Sequence, residues 1–327
     1  MSKDVVCGLC PKACRIPEGA AGDCRVRVNL GGKLRATTYG RPSAVHVDPI
    51  EKKPLNHFLP GSGAYSIATA GCNLHCRFCQ NWELSQRSGP EMDARFRAEP
   101  AQVVAEAMRT GCRSIAYTYS DPVVFYEYVY DTSVLAREKG IKNVLVTAGY
   151  INPGPLKRLC EVVDASNTDL KYFDDGLYAK YSDGHLKPVL DALVLQKKLG
   201  VWLEVTNLIV PTINDDMGQI RRMVKWLARE LGPDTPLHFS RFFPLYQLQN
   251  LPPTPEATLL KAREEALAAG LRYVYIGNLH GHPAESTFCP KDGKLLVRRV
   301  GYTVAELHVK DGKCEYCGTR IAGRWNT

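Results

Sequence analysis

Hydrophobic and polar positions follow two alternating periods through the middle of the chain, residues 61–280. Short runs of apolar and β-branched residues predict strands: Ala64–Ala68, Ser114–Tyr119, Asn143–Thr147, Asp164–Leu170, Trp202–Val210, Leu237–Phe243 and Leu271–Ile276. Stretches with helical spacing lie between them, and most end near a glycine: Ala101–Arg109, Val123–Lys139, Pro155–Cys160, Lys187–Leu199, Asp216–Glu230 and Pro255–Ala269. Each of the first six predicted strands is therefore followed by a predicted helix.

Regular strand–helix alternation predicts an α/β fold in which parallel strands are joined by helical crossovers. Six or seven such units fit a partial (β/α)6-type TIM barrel better than a complete barrel of eight units. In barrels the chemistry lies at the carboxyl ends of the strands. We therefore look for functional residues directly after each predicted strand.

Two cysteine-containing segments flank this predicted barrel. Residues 1–60 are rich in Cys, Gly and Pro and predict a small metal-stapled N-terminal domain, whereas residues 61–285 form the barrel. Residues 286–327 resemble a zinc ribbon, with a predicted hairpin around Asp311-Gly312.

Composition narrows the class of protein. The 327 residues are 45% hydrophobic and 23% charged, which is typical of a soluble globular protein, and no apolar run approaches the length of a membrane span. The first residues lack the apolar core of a signal peptide, so we expect a cytoplasmic protein that does not bind membranes. The net charge of +8 is spread along the chain, and metal-bound thiolates would lower it, so it indicates a solvated surface rather than a nucleic-acid footprint.

The 12 cysteines are grouped, which in a reducing compartment indicates metal sites rather than disulfides. Cys72, Cys76 and Cys79 form a C-x3-C-x2-C triplet directly after the first strand of the barrel. Three thiolates are one fewer than the four that normally saturate a 4Fe–4S cluster, so one iron is left open for a small molecule. A zinc knuckle or a chance group of core thiols is the alternative, but zinc usually takes four ligands in paired spacing.

The triplet resembles the cluster loop of the radical S-adenosylmethionine (SAM) superfamily, and in particular its branch of pyruvate formate-lyase activating enzymes. The similarity is closer still to the radical SAM enzyme of the AmmeMemoRadiSam system. That likeness covers nearly the whole chain and rests on these segments: Cys7–Cys14, Gly22–Arg27, Asp48–Leu55, Gly71–Asn81, Val274–Asn278 and Cys314–Gly318.

The resemblance implies that Cys72, Cys76 and Cys79 hold a 4Fe–4S cluster whose open iron binds SAM through its amino and carboxylate groups. One electron then cleaves SAM, and the resulting 5′-deoxyadenosyl radical abstracts hydrogen from a small-molecule or protein substrate. A reductant such as flavodoxin or ferredoxin is expected as the electron donor. Hydrogen abstraction needs no protein acid or base, so no catalytic residue is predicted beyond the cluster ligands.

The same resemblance assigns residues at the strand ends to SAM. Thr118, Tyr119, Ser120 and Asp121 stand where relatives bind the SAM amino group, which a carboxylate suits, although relatives often have Glu in place of Asp121. Lys171 is expected near the SAM carboxylate and Asp169 near the ribose or the substrate. The remaining candidates lie after the third strand and on or after the fifth and sixth strands: Thr147, Gly149, Asn207, Ile209, His238 and Arg241.

Two further cysteine groups predict additional metal sites. Cys7, Cys10, Cys14 and Cys24 provide four thiolates for either zinc or an auxiliary iron–sulfur cluster, and their small irregular domain favours structural zinc. Near the C-terminus, Cys289, Cys314 and Cys317 lack a fourth cysteine. Asp292 is the predicted fourth zinc ligand, with His280, His282 or His308 as substitutes, and a degenerate site without metal is the alternative.

Three functions remain open from the sequence. The first is a radical SAM enzyme acting on a small molecule or on a protein target other than a glycyl-radical enzyme, which the two cysteine-rich extensions favour. The second is an activase that installs a glycyl radical on a partner enzyme. The third is a zinc-stapled nucleic-acid-binding protein without catalysis.

Overall fold

The computed structural model describes residues 4–92, 96–279 and 281–325. The N-terminal cysteine-rich segment contains two small antiparallel hairpins. The first pairs β1 (Val5–Val6) with β2 (Arg15–Ile16), and the second pairs β3 (Arg27–Leu30) with β4 (Lys33–Ala36).

An eight-stranded sheet follows and forms the centre of the fold. Its strands are β5 (Ala44–Pro49), β6 (Gly63–Ala68), β7 (Ser114–Tyr117), β8 (Lys142–Thr147), β9 (Ala165–Asp169), β10 (Trp202–Ile209), β11 (Leu237–Arg241) and β12 (Val274–Gly277). They lie side by side in chain order, with β6–β12 parallel and β5 antiparallel to β6 at one edge. All seven predicted strands are present, and the prediction of a partial barrel is confirmed with seven parallel strands.

Helices connect the strands. They are α1 (Trp82–Ser85), α2 (Pro100–Arg109), α3 (Tyr126–Glu138), α4 (Pro153–Cys160), α5 (Asp175–Ser182), α6 (Leu186–Lys198), α7 (Met217–Glu230) and α8 (Glu256–Ala268). Side chains cap several of them, as at Asp216, whose carboxylate accepts from the Gln219 backbone N–H at 2.8 Å. No helix in the described part of the chain is both long enough and apolar enough to cross a membrane.

The chain ends in short antiparallel strands that pack on the open side of the barrel. These are β13 (Thr287–Phe288), β14 (Leu295–Val300), β15 (Thr303–Leu307), β16 (Val309–Lys310) and β17 (Lys313–Cys314). Leu296 and Trp325 pack in one cluster with Tyr275 of β12, while Arg299 Nη2 donates to the Asn56 carbonyl at 2.7 Å. The C-terminal strands thus contact β12 at one edge of the sheet and the segment between β5 and β6 at the other.

A buried histidine fixes this closure. His57 Nδ1 donates to the Ala322 carbonyl at 2.6 Å, so its Nε2 accepts from the Tyr275 hydroxyl at 2.5 Å. Burial lowers the pKa of His57 to about 4, because a charged ring would lose its hydration. The neutral imidazole therefore joins the C-terminus to the barrel.

Candidate active site

The segment Gly71–Cys79, which we call the cluster loop, follows β6 at the carboxyl end of the barrel. Two backbone hydrogen bonds attach it to the end of α5: His75 N to Ser182 O at 3.0 Å and Arg77 N to Tyr181 O at 2.9 Å. Cys79 Sγ lies 3.2 Å from Ser85 Oγ of α1. The loop is therefore held between α1 and α5 by contacts that do not depend on the cysteines alone.

All three cysteines of the loop line one cavity of about 420 Å³, a size typical of small-molecule sites. Burial raises the pKa of Cys72 well above its ordinary value and raises that of Cys76 as well, so both thiols hold their protons until a metal displaces them. Three thiols facing one cavity, with no fourth cysteine among its lining residues, are the donor set that a 4Fe–4S cluster with one open iron requires.

Strand-end residues surround the same cavity. Seven of the predicted SAM-binding residues line it: Thr118, Tyr119, Ser120, Asp121, Thr147, Asp169 and Lys171. Residues that the sequence did not single out also line it, among them Lys52, Lys53, Thr206, Leu208, Ser240 and Asn278. Because residues after β6 and after β12 face one space, the sheet must curve into an incomplete barrel.

The Asp121 carboxylate is fixed at the end of β7. It accepts from the backbone N–H of Ala148 at 2.8 Å, from that of Val123 at 3.0 Å and from Thr147 Oγ1 at 3.0 Å. Burial raises the pKa of Asp121 above its usual value, and these donors oppose that shift. A carboxylate has about four acceptor positions, so few are left for a ligand.

Lys171 and Asp169 form an ion pair of 2.7 Å after β9. Burial disfavours the charged form of Lys171, but Asp169 and the nearby Cys76 sulfur outweigh it and hold the pKa of Lys171 well above its ordinary value. The ammonium is therefore present at neutral pH and lies 5.6 Å from the centre of the Phe78 ring in the cluster loop.

Five other predicted residues lie away from this cavity. Asn207 Nδ2 donates to the Leu170 carbonyl at 2.6 Å, Ile209 is part of the apolar core, and Arg241 Nε donates to the Thr254 carbonyl at 2.9 Å. Gly149, with φ of +67°, turns the chain after β8. His238 Nε2 lies 2.7 Å from the buried Glu204 carboxylate and lines a second cavity.

That second cavity has a volume of about 210 Å³ and shares Thr206, Ser240 and Asn278 with the first. Four charged residues line it, Glu51, Lys52, Glu285 and Arg299. All but Lys52 are buried, and Arg299 Nε lies 3.8 Å from Glu51 Oε1. The C-terminal strands supply one wall through Arg299 and Tyr302. A polar space thus adjoins the cysteine-lined cavity.

Comparison with known proteins agrees with this geometry. The family model of the radical SAM superfamily matches residues 66–227, which include the cluster loop and the strand ends from β6 to β10. The chain belongs to the radical SAM superfamily. An uncharacterized protein of Methanocaldococcus jannaschii is 47% identical over 319 residues, which cover 97% of this chain and 95% of that protein.

Further relatives place this radical SAM enzyme in the activase-like branch. The pyruvate formate-lyase-activating enzyme of Clostridium pasteurianum is 24% identical over 156 residues, which cover 47% of this chain and 64% of that enzyme. Two solved structures share the fold at 14% identity. They are a methyltransferase from Sphaerobacter thermophilus, with a TM-score of 0.52 over 73% of this chain and 71% of that one, and SAM-bound SuiB from Streptococcus suis, with a TM-score of 0.53 over 74% and 56%.

This radical SAM enzyme has a second group of metal-binding side chains near its C-terminus. Cys289, Asp292, Cys314 and Cys317, which we call the C-terminal cysteine site, offer four ligand atoms within 4.8 Å of one another. Cys289 Sγ and Cys317 Sγ are 3.6 Å apart. Tetrahedral zinc with bonds of about 2.3 Å separates its sulfurs by about 3.8 Å, so the four side chains can hold a metal ion of that size.

The histidines named as substitutes have other places. His308 Nδ1 lies 3.1 Å from Glu315 and Nε2 lies 3.3 Å from Glu306. His282 Nδ1 accepts from the Ala284 backbone N–H at 3.0 Å, and His280 lies outside the described residues. Asp292 is therefore the residue that accompanies the three cysteines.

Asp23, His75 and Asp183 form another group of possible metal ligands, but the ammonium of Lys12 lies among them. Lys12 Nζ lies 2.7 Å from Asp23 and 2.6 Å from Asp183, and His75 Nε2 lies 2.9 Å from Asp23. These ion pairs join the N-terminal segment, the cluster loop and the end of α5.

Proposed function

We propose that this enzyme reductively cleaves SAM at a 4Fe–4S cluster held by Cys72, Cys76 and Cys79. When bound, cluster and SAM supply a 5′-deoxyadenosyl radical that abstracts hydrogen from the substrate. The observation that carries the proposal is that the three cysteines line the same cavity as Asp121 and Lys171, which come from different strands.

The protein's own contribution is binding and orientation. Asp121 offers its remaining acceptor position to the ammonium of SAM, and the Lys171 ammonium offers a partner to the carboxylate. The ion pair with Asp169 keeps the Lys171 side chain directed into the cavity. The buried cluster loop and the surrounding strand ends limit the access of water to the reacting atoms.

We further propose that the substrate is a small polar molecule bound in the second cavity. Three features support this choice over a glycyl-radical partner enzyme. The cavity adjoins the cysteine-lined space, it carries the buried pair Arg299 and Glu51, and the C-terminal strands form one wall of it. A pocket of this size suits a small ligand better than the loop of a large protein.

Activase function is the second candidate, favoured by the match to pyruvate formate-lyase-activating enzyme. Membership of an enzyme superfamily argues against a nucleic-acid-binding protein without catalysis.

The direct test is anaerobic purification and reconstitution, followed by addition of dithionite and SAM. The proposal expects brown protein that releases 5′-deoxyadenosine and methionine. The C72A/C76A/C79A variant should release no 5′-deoxyadenosine, because the cluster loses its thiolate ligands. Colourless protein that leaves SAM intact would overturn the proposal.

A further inference from the structure

The cluster loop has a second face, which is turned towards the N-terminal cysteines. Cys72, Leu74 and Cys76 line the large cavity. The intervening residues Gly71, Asn73 and His75 contact the N-terminal segment. A single segment of backbone therefore separates the cavity from the N-terminal segment.

Three contacts define this second face. A Cβ added at Gly71 would lie 2.5 Å from the carbonyl oxygen of Cys24, so the two backbones are in direct contact. Asn73 lines the same small cavity as Cys10, and His75 bonds Asp23, the residue before Cys24.

Cys7, Cys10, Cys14 and Cys24, which we call the N-terminal cysteine site, converge on this small cavity. Cys7, Cys10 and Cys24 are buried. Apolar residues line the cavity as well, among them Leu9, Ile16 and Val123. Four thiols around one space form a complete ligand set.

The spacing of the sulfurs distinguishes the two metals that the sequence left open. The C-terminal cysteine site brings its ligand atoms within 4.8 Å of one another. Among the described residues, which include all four N-terminal cysteines, no three of these thiols approach one another that closely. The same chain therefore contains one cysteine site on the scale of a single ion and one that is wider.

A wider site fits a cluster better than one zinc ion. Tetrahedral zinc draws all four sulfurs to about 3.8 Å from one another. In a 4Fe–4S cluster each thiolate binds a different iron, so the sulfurs stand farther apart around a larger inorganic core. The small irregular domain favours structural zinc, but the wider spacing of the sulfurs favours a cluster.

Arg27 supplies a matching charge. Its side chain is 5% exposed and lines the small cavity, and its guanidinium binds Glu127 through Nη2. Arg27 Nε is buried and has no hydrogen-bond partner within the residues that the structure describes. A buried donor of this kind is costly unless an acceptor is bound, and the sulfurs of an anionic cluster are acceptors.

We propose that Cys7, Cys10, Cys14 and Cys24 bind a second 4Fe–4S cluster, closed by four thiolates and seated against the back of the cluster loop. Because every iron of this cluster has a protein ligand, it does not bind SAM. The inference concerns a site separate from the proposed reaction and does not require that SAM be cleaved.

The test compares metal content and spectra of three anaerobically reconstituted proteins: wild type, the C72A/C76A/C79A variant and the C7A/C10A/C14A/C24A variant. We expect about eight iron and eight sulfide per chain in the wild type and about four of each in either variant. SAM should change the electron paramagnetic resonance spectrum of the reduced quadruple variant and leave that of the reduced triple variant unchanged.

Three outcomes would overturn the inference. The triple variant would contain zinc and no iron at the N-terminal cysteine site, it would contain neither metal while remaining folded, or its spectrum would respond to SAM. Circular dichroism establishes folding of each variant. If the quadruple variant does not fold, the triple variant alone still decides between iron and zinc. Failure of SAM cleavage in the wild type would instead contradict the proposed function.

Discussion

Replacement of Gly71 by Ala tests the close contact between the cluster loop and the N-terminal segment. Gly71 has φ of +88°, and an added Cβ would lie 2.5 Å from Cys24 O and 2.7 Å from Val26 Cγ1. Such distances cannot be accommodated without a shift of backbone. Gly111, after α2, provides a matched control, since it has φ of +68° and open space around the position of a Cβ.

The two substitutions share one cost and differ in another. A left-handed conformation costs a non-glycine residue about 1–2 kcal/mol at either position. The steric conflict at Gly71 adds about 1–3 kcal/mol, the usual cost of overpacking. We therefore expect G71A to be less stable than G111A by about 1–3 kcal/mol.

Urea unfolding of the two metal-free proteins, followed by circular dichroism under anaerobic conditions, measures this difference. G71A should also retain less iron at the cluster loop after reconstitution, whereas G111A should match the wild type. Equal unfolding midpoints for G71A and G111A would refute the packing of the loop against Cys24.

Three further predictions concern single side chains. D121N should weaken SAM binding at least tenfold and destabilise the protein by about 1–3 kcal/mol, because the amide NH2 of Asn would face a backbone N–H that now donates to the carboxylate. Isothermal titration measures the affinity and thermal melting the stability. Unchanged affinity would contradict the assignment of Asp121 to SAM. The free energy of unfolding of the wild type should fall by up to about 3 kcal/mol as pH drops from 6.5 to 4, because His57 binds a proton in the unfolded chain but stays neutral in the native protein, where its pKa is lowered to about 4. With chelator present, the H57Q variant should lose this part of the pH dependence. The control variant His185→Gln, at an exposed histidine, should keep it. D292A should bind zinc at the C-terminal cysteine site at least tenfold more weakly than the wild type, and D292C should retain the zinc. Zinc analysis after dialysis against chelator measures the difference. Equal zinc content in D292A and the wild type would show that Asp292 is not a ligand.

The strands and the place of the chemistry were predictable because both follow from local pattern. Buried strands leave continuous apolar runs, and the carboxyl ends of parallel strands must meet at one edge. Asp121 and Lys171 each follow such a run directly, and the structure brings both to the cavity of Cys72.

In strand β10 the local pattern does not identify the residues that face the cavity. Side chains alternate between the two faces of a strand, and both faces of a parallel sheet are buried, so composition does not reveal which set faces the site. Asn207 and Ile209 were selected by resemblance, whereas Thr206 and Leu208 line the cavity. A shift of one residue exchanges the two sets completely.

Long-range contacts were also beyond the sequence. Arg299 and Tyr302 lie more than 200 residues from Lys52 along the chain, yet they share a cavity with it because the C-terminal strands close the barrel. Helix α5 was not predicted, although Asp174 caps it by accepting from the Leu177 backbone N–H at 2.9 Å.

The central claim is that three thiols leave one iron of the cluster free for SAM. Electron paramagnetic resonance of the reduced C7A/C10A/C14A/C24A variant, recorded with and without SAM and followed by chromatography of the products, tests it most directly. We expect a spectrum that changes when SAM is added, together with 5′-deoxyadenosine that is absent when Cys72, Cys76 and Cys79 are replaced by Ala. An iron-loaded, folded protein whose spectrum ignores SAM and which forms no 5′-deoxyadenosine would contradict it.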